Sequence, residues 1–168
     1  MMTRCGSMLL LTLATLLLNA WELDFPRSQP EMAWWSAQKP LNRCSLTYAT
    51  LRDGRAALRA DWDASVTDYL HIMHTFRPKL PEFRRLRARI RVTSDTPLQL
   101  TKCRLRLQDA NVETFYWDQP VDFLRPGTRT LEWLVDADSP RPSSRVQHGK
   151  DANGKLDFPL SSVALTLD

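Results

Sequence analysis

Between Leu86 and Val92 the chain alternates without a fault: Leu86, Ala88, Ile90 and Val92 are apolar, and Arg87, Arg89 and Arg91 stand between them. Side chains of a β-strand point to opposite faces with period two, so such a run buries one face and solvates the other only as a strand. The device returns in Leu98 to Gln108, where Cys103, Leu105 and Leu107 oppose Lys102, Arg104 and Arg106, with a slip after Leu100 that a bulge would absorb. Ser94-Asp-Thr-Pro97 between the two runs is short and turn-forming, so they are expected to be neighbours in one hairpin.

The flanking sequence keeps the same period. Cys44 to Leu51 and Ala56 to Asp63 read as a hairpin across Arg52-Asp-Gly-Arg55, because Asp-Gly supplies the positive φ that a tight turn needs. Thr114 to Trp117, Val121 to Leu124, Arg129 to Val135 and Val163 to Leu167 read as further short strands, with Pro126-Gly127 as a turn. Tyr69 to Leu86 reads as a loop or short helical turn, since Pro78 and Pro81 interrupt any long helix. Ser139 to Lys150, with its prolines and serines, reads as an exposed loop. Short strands with turns every roughly eight to twelve residues predict an all-β, two-sheet β-sandwich, jelly-roll in type.

At the front, Arg4 precedes an apolar run from Met8 to Leu18, and Asn19 and Ala20 close it. That order is a secretory leader, with cleavage expected after Ala20. The run falls short of the roughly 20 residues a spanning helix needs, so no stable membrane anchor is expected. The predicted division is a leader over 1–20, an irregular lead-in over 21–43 with Trp34 and Trp35 packed back on the sheet, and a sandwich domain over 44–168. Such a protein is secreted or periplasmic. In that oxidising compartment Cys44 and Cys103 stand either as a disulfide or as two separate buried thiols. A net charge of +4 is too small to argue for nucleic acid as a partner of an exported chain.

Several segments together carry a resemblance: Ala57-Leu-Arg-Ala-Asp-Trp-Asp63, Leu105 through Trp117, Arg125-Pro-Gly-Thr128 before Leu131-Glu-Trp133, and His148 through Pro159. In strand order and scattered residues the stretch from Cys44 to Asp168 resembles the β-jelly-roll, galactose-binding-like domains of exported bacterial glycoside hydrolases, which also serve as carbohydrate-binding modules. The resemblance implies a non-catalytic accessory role, either binding a polysaccharide or oligosaccharide reversibly or packing against a catalytic domain. It also implies a structural calcium as an option, for which Asp151, Asn153 and Asp157 have suitable oxygens. A plain turn accounts for the same three residues, and no other cofactor is expected.

Sugar recognition needs flat aromatic faces and a few charged or amide groups. Tyr116 and Trp117, with Asp109 and Glu113 nearby in sequence, are candidates, although Trp117 equally suits a core position. The arginine rows are the second candidate site: Arg89 and Arg91 with Arg104 and Arg106 would crowd positive charge on one sheet face, which calls for acidic partners. Those partners are internal (Asp61, Glu132, Asp136), or carboxylates of an acidic polysaccharide, or a docking protein. Catalysis is not expected. Asp61 with Glu132, or Asp109 with Glu113, are carboxylate pairs without a supporting motif, and His71-x-x-His74 lacks a third metal ligand.

Overall fold

The computed structural model of the chain describes residues 8–15, 34–36, 44–50, 54, 56–62, 70–80, 82–94, 96–97, 100–122, 124–146 and 153–167. Among these residues there is no helix and there are eleven strands: β1 Met8–Thr15, β2 Trp34–Ser36, β3 Cys44–Thr50, β4 Ala56–Trp62, β5 Leu70–Leu80, β6 Arg85–Ser94, β7 Lys102–Gln108, β8 Thr114–Pro120, β9 Gly127–Asp136, β10 Ser144–Val146 and β11 Leu160–Leu167. All pair antiparallel. Sheet A has five strands in the order β3-β4-β1-β6-β9, and sheet B has six in the order β10-β8-β7-β11-β5-β2.

Alternation in sequence becomes alternation in burial. In β6, Leu86, Ala88, Ile90 and Val92 are buried while the three arginines between them face outward. In β7, Cys103, Leu105 and Leu107 are buried. Both sets join one hydrophobic core with Leu70, Ile72, Phe115, Trp133, Val163 and Leu165, so the inner faces of the two sheets pack on each other as a sandwich. Trp133 also ties the sheets by donating its indole N–H to the Trp117 carbonyl at 3.0 Å. Burying a side chain such as Ile90 or Leu105 contributes roughly 1.5–3 kcal/mol, which is what sets the register of each strand.

The expected β3–β4 hairpin forms, with Cys44 opposite Trp62 through Thr50 opposite Ala56 and Gly54 in its turn at φ +84°. Four other expectations are corrected. The two arginine-bearing strands are not a hairpin: β6 belongs to sheet A and β7 to sheet B, and the short connection crosses between sheets, with Ser94 Oγ bonding the Thr96 carbonyl at 2.5 Å. Tyr69 to Leu86 is not loop or helix but largely the strand β5. Its proline is tolerated because the β5–β11 register steps from Thr75 to Leu80 and β2 reaches only Ile72 to His74, so Pro78 faces no ladder partner that needs its missing N–H. Val121 to Leu124 is not a strand, since β8 runs to Pro120 and the Asp122 carboxylate then accepts the Leu124 N–H at 2.9 Å, closing a turn. Finally, the lead-in is not wholly irregular: Trp34–Ser36 adds β2 to the edge of sheet B.

The apolar run near the front supplies β1. It pairs with β6 from Met8–Thr93 to Thr15–Leu86, and with β4 from Leu9–Ala60 to Leu11–Leu58. Leu9, Leu11 and Leu13 thereby fall opposite Val92, Ile90 and Ala88 in register. Cleavage after Ala20 would remove this strand from between β4 and β6.

Candidate functional site

The outward face of sheet B gathers the most diverse chemistry in the molecule. Its registers set Asp118, Arg104, Thr166 and His71 side by side across β8, β7, β11 and β5, with Tyr116, Arg106, Ala164 and Met73 forming the next row. A third row holds Thr114, Gln108, Ser162 and Thr75. At strand spacings of about 4.8 Å each row spans roughly 14 Å. The β11 contribution is small in every row (Ser162, Ala164, Thr166). It forms a floor between the longer side chains of β7 and β5, which lean over it and leave it buried.

Charge on this face is unevenly matched. Arg104 grips Asp118 with both ends of its fork, Nε to Oδ1 at 2.6 Å and Nη2 to Oδ2 at 2.9 Å, and its guanidinium lies 5.0 Å from the Tyr116 ring centroid. That grip holds the Asp118 carboxyl below the usual carboxylate range. Arg106 has no such partner: its Nη1 reaches the Met73 sulfur at 3.9 Å, and its Nε is buried without an acceptor. His71 Nδ1 hydrogen-bonds Thr166 Oγ1 at 2.8 Å. Burial, and secondarily the charge of Arg106, lower the His71 pKa and favour the neutral ring.

Tyr116, Arg104 and Arg106 are thus brought together, and the other candidate residues lie elsewhere. Trp117 points inward, stacked on Phe115 with centroids 6.2 Å apart, and spends its indole N–H on the Pro140 carbonyl at 2.7 Å. Its edge floors a recess of about 340 Å³ lined by Leu134, Asp136, Ser139, Pro140 and Arg141. Arg89 and Arg91 lie on the outward face of sheet A, where Glu132 accepts from Arg87 at 2.8 Å and from Arg89 at 2.9 Å. Those two bonds, that from Arg87 first, lower the Glu132 pKa. Of the internal partners expected for the arginine row only Glu132 meets it; Asp136 lies near Arg85 at 3.8 Å and Asp61 on Arg59 at 2.7 Å.

Asp109 and Glu113 are both fully buried and present no surface to a ligand. Asp109 builds the β7–β8 turn: its Oδ1 accepts the Asn111 N–H at 2.9 Å and the Glu113 N–H at 2.8 Å. Burial raises its pKa, against the lowering effect of those amides. Glu113 is met by Arg145 at 3.0 Å, and the Arg145 guanidinium lies so close to Gly154, at φ +75°, that a Cβ there would collide with it. An arginine therefore already sits beside the buried carboxylate. Of the calcium candidates, Asp151 lies outside the described residues, and Asp157 Oδ2 accepts from Asn153 and Asn111, each at 3.1 Å. No group of three His, Cys, Asp or Glu among the described residues is arranged to hold a metal.

Cys103 is buried in the core, and the side chain of Cys44 lies outside the described ones. His71 and His74 lie three apart on a strand, where odd spacing sends side chains to opposite faces, so they cannot share a metal. His71, Met73 and Thr166 are the residues that sequence reading missed. Their signal was the period-two order of 71, 73 and 75, hidden by the prolines that follow.

Comparison of the chain with protein-family models, with curated proteins and with solved structures yields no match.

Proposed function

We propose that the chain is an exported, non-catalytic glycan-binding domain of the jelly-roll, galactose-binding-like kind, with the outward face of sheet B as its binding surface. One observation carries the reading: Tyr116 and Arg106 in one row and Arg104 and His71 in the next, all on one sheet face with a floor of small residues. An aromatic ring with hydrogen-bonding groups at strand spacing suits the alternating apolar and hydroxyl surfaces of a sugar chain. Binding there is reversible and no bond is broken. Affinity electrophoresis through a panel of polysaccharides tests it, with retardation expected for the purified chain and lost in Tyr116→Ala.

Export rests on the leader-like order of Arg4, Met8 to Leu18 and Ala20. A protein recovered outside the cytoplasm and beginning at Trp21 would support it, and a chain beginning at Met1 would oppose it. In the processed form β4 and β6 must then pair with each other or with another strand. A second reading, a docking domain for a catalytic partner, is favoured by Leu134, a leucine 70% exposed on the outward face of sheet A at the rim of the recess.

A further inference from the structure

We infer that the ligand of this face is an anionic polysaccharide and that Arg106 is the group that takes its carboxylate or sulfate. The inference rests on the glycan-binding reading of sheet B and names the class of sugar. Its starting point is that several outward arginines are tied to a carboxylate. Arg104 is held by Asp118, Arg87 and Arg89 by Glu132, and Arg145 by Glu113.

Arg106 and Arg91 stand outside that pattern, and of the two only Arg106 is half-withdrawn from water. Among the described residues no carboxylate lies within ion-pair reach of it, and its one hydrogen-bond acceptor is a thioether, among the weakest a protein offers. A guanidinium half-withdrawn from water with Nε unsatisfied is costly in the unliganded protein. An oxyanion would give the terminal nitrogens of the guanidinium, one of which now meets only the Met73 sulfur, a strong acceptor.

The surroundings support an incoming anion. The flanking rows hold Asp118, already committed to Arg104 through both oxygens, and otherwise only neutral groups: Tyr116, Gln108, Ser162, Thr166, Thr75 and His71. Because Arg104 and Asp118 cancel, Arg106 carries the charge of these three rows, with Lys102 one row beyond Asp118. The half-buried Gln108 stands one row away as a further polar neighbour of an oxyanion.

Affinity electrophoresis of the purified chain at low salt, through polygalacturonate, a sulfated galactan and a neutral galactan, tests this. Retardation by an acidic polymer and not by the neutral one is expected, weakened about tenfold or more in Arg106→Met and only partly in Arg106→Lys, which keeps charge without the fork. Arg91→Met, on the other sheet, should bind as the parent does. The acidic polymer that retards the chain tells carboxylate from sulfate. An unchanged melting temperature shows that Arg106→Met is folded, and Arg106→Lys supplies a second measure if it is not. Equal retardation by neutral and acidic galactans, lost in Tyr116→Ala but unaffected in Arg106→Met, overturns the anion inference and leaves the glycan reading standing. Absence of retardation by every polymer overturns both. Equal affinity for a single-stranded oligonucleotide overturns the inference in favour of unspecific polyanion binding.

Discussion

β6 and β7 carry nearly the same sequence device and put it to different use. Each buries alternate apolar side chains and turns a row of basic ones outward. On β6 the row meets Glu132 of the adjacent strand, whose carboxylate accepts from both Arg87 and Arg89, while Arg91 faces solvent. On β7 only the first arginine is matched: Asp118 stands opposite Arg104, whereas the residue opposite Arg106 is Tyr116, which cannot accept its charge. One substitution pattern on a neighbouring strand thus separates a structural charge network from a surface with an open cation. Net charge could not have revealed this, because what matters is which strand lies beside which.

The comparison breaks most severely if the two rows do not share a core. Ile90→Ala on β6 and Leu105→Ala on β7 should each cost about 2–5 kcal/mol in urea unfolding, because both side chains are fully buried. A large loss for one and none for the other would mean the sheets do not pack as described. Next in size, Arg104→Met should cost about 1–2 kcal/mol by leaving Asp118 half-buried without its charge partner. Glu132→Gln should cost about 1 kcal/mol or less, its arginines being more exposed to solvent. Arg106→Met should lie within about 0.5 kcal/mol of the parent or be more stable, since it removes an unsatisfied donor. A clear destabilisation there would point to a partner that neutralises Arg106 in the unliganded protein.

Acid titration sharpens the same contrast. Asp118 and Glu132 both have folded pKa values below their unfolded ones. Their stabilisation is present above the unfolded value near about pH 4 and is lost as pH falls through the folded values. His71 also has a lowered folded pKa, so its contribution is fully present above about pH 6.5 and declines as pH falls toward the folded value. A His71→Gln variant should therefore show a flatter stability profile below that point, measured by thermal unfolding across pH. An unchanged profile would mean that the ring is not buried beside Arg106.

Strand existence was legible where burial enforces period two, as in Leu86 to Val92, because a register slip would turn every apolar residue to water. The β3–β4 turn was legible because Asp-Gly has a backbone preference of its own. Pairing between strands was not legible. Ser94-Asp-Thr-Pro97 is as suited to a hairpin as to a crossing between sheets, and only the packed core decides. β5 was misread because Pro78 argues against regular structure locally, yet falls at a step in register where no partner is lost. For the candidate site, Tyr116, Arg104 and Arg106 could be named from sequence. Trp117, Asp109 and Glu113 lie beside them in the chain but face the interior or the turn, and adjacency along a strand does not reveal which face a residue takes until the register is fixed.

The central claim is that Arg106 of β7 is open whereas Arg87 and Arg89 of β6 are tied to Glu132. A guanidinium Nε–H NMR titration with an oligogalacturonate and with a sulfated galactan oligosaccharide, resolving Arg106 beside Arg87 and Arg89, measures this within one molecule. The Arg106 Nε–H resonance should move saturably with at least one of them, while those of Arg87 and Arg89 stay in place. Parallel small shifts at all three, or movement at Arg89 with Arg106 unchanged, would contradict the account.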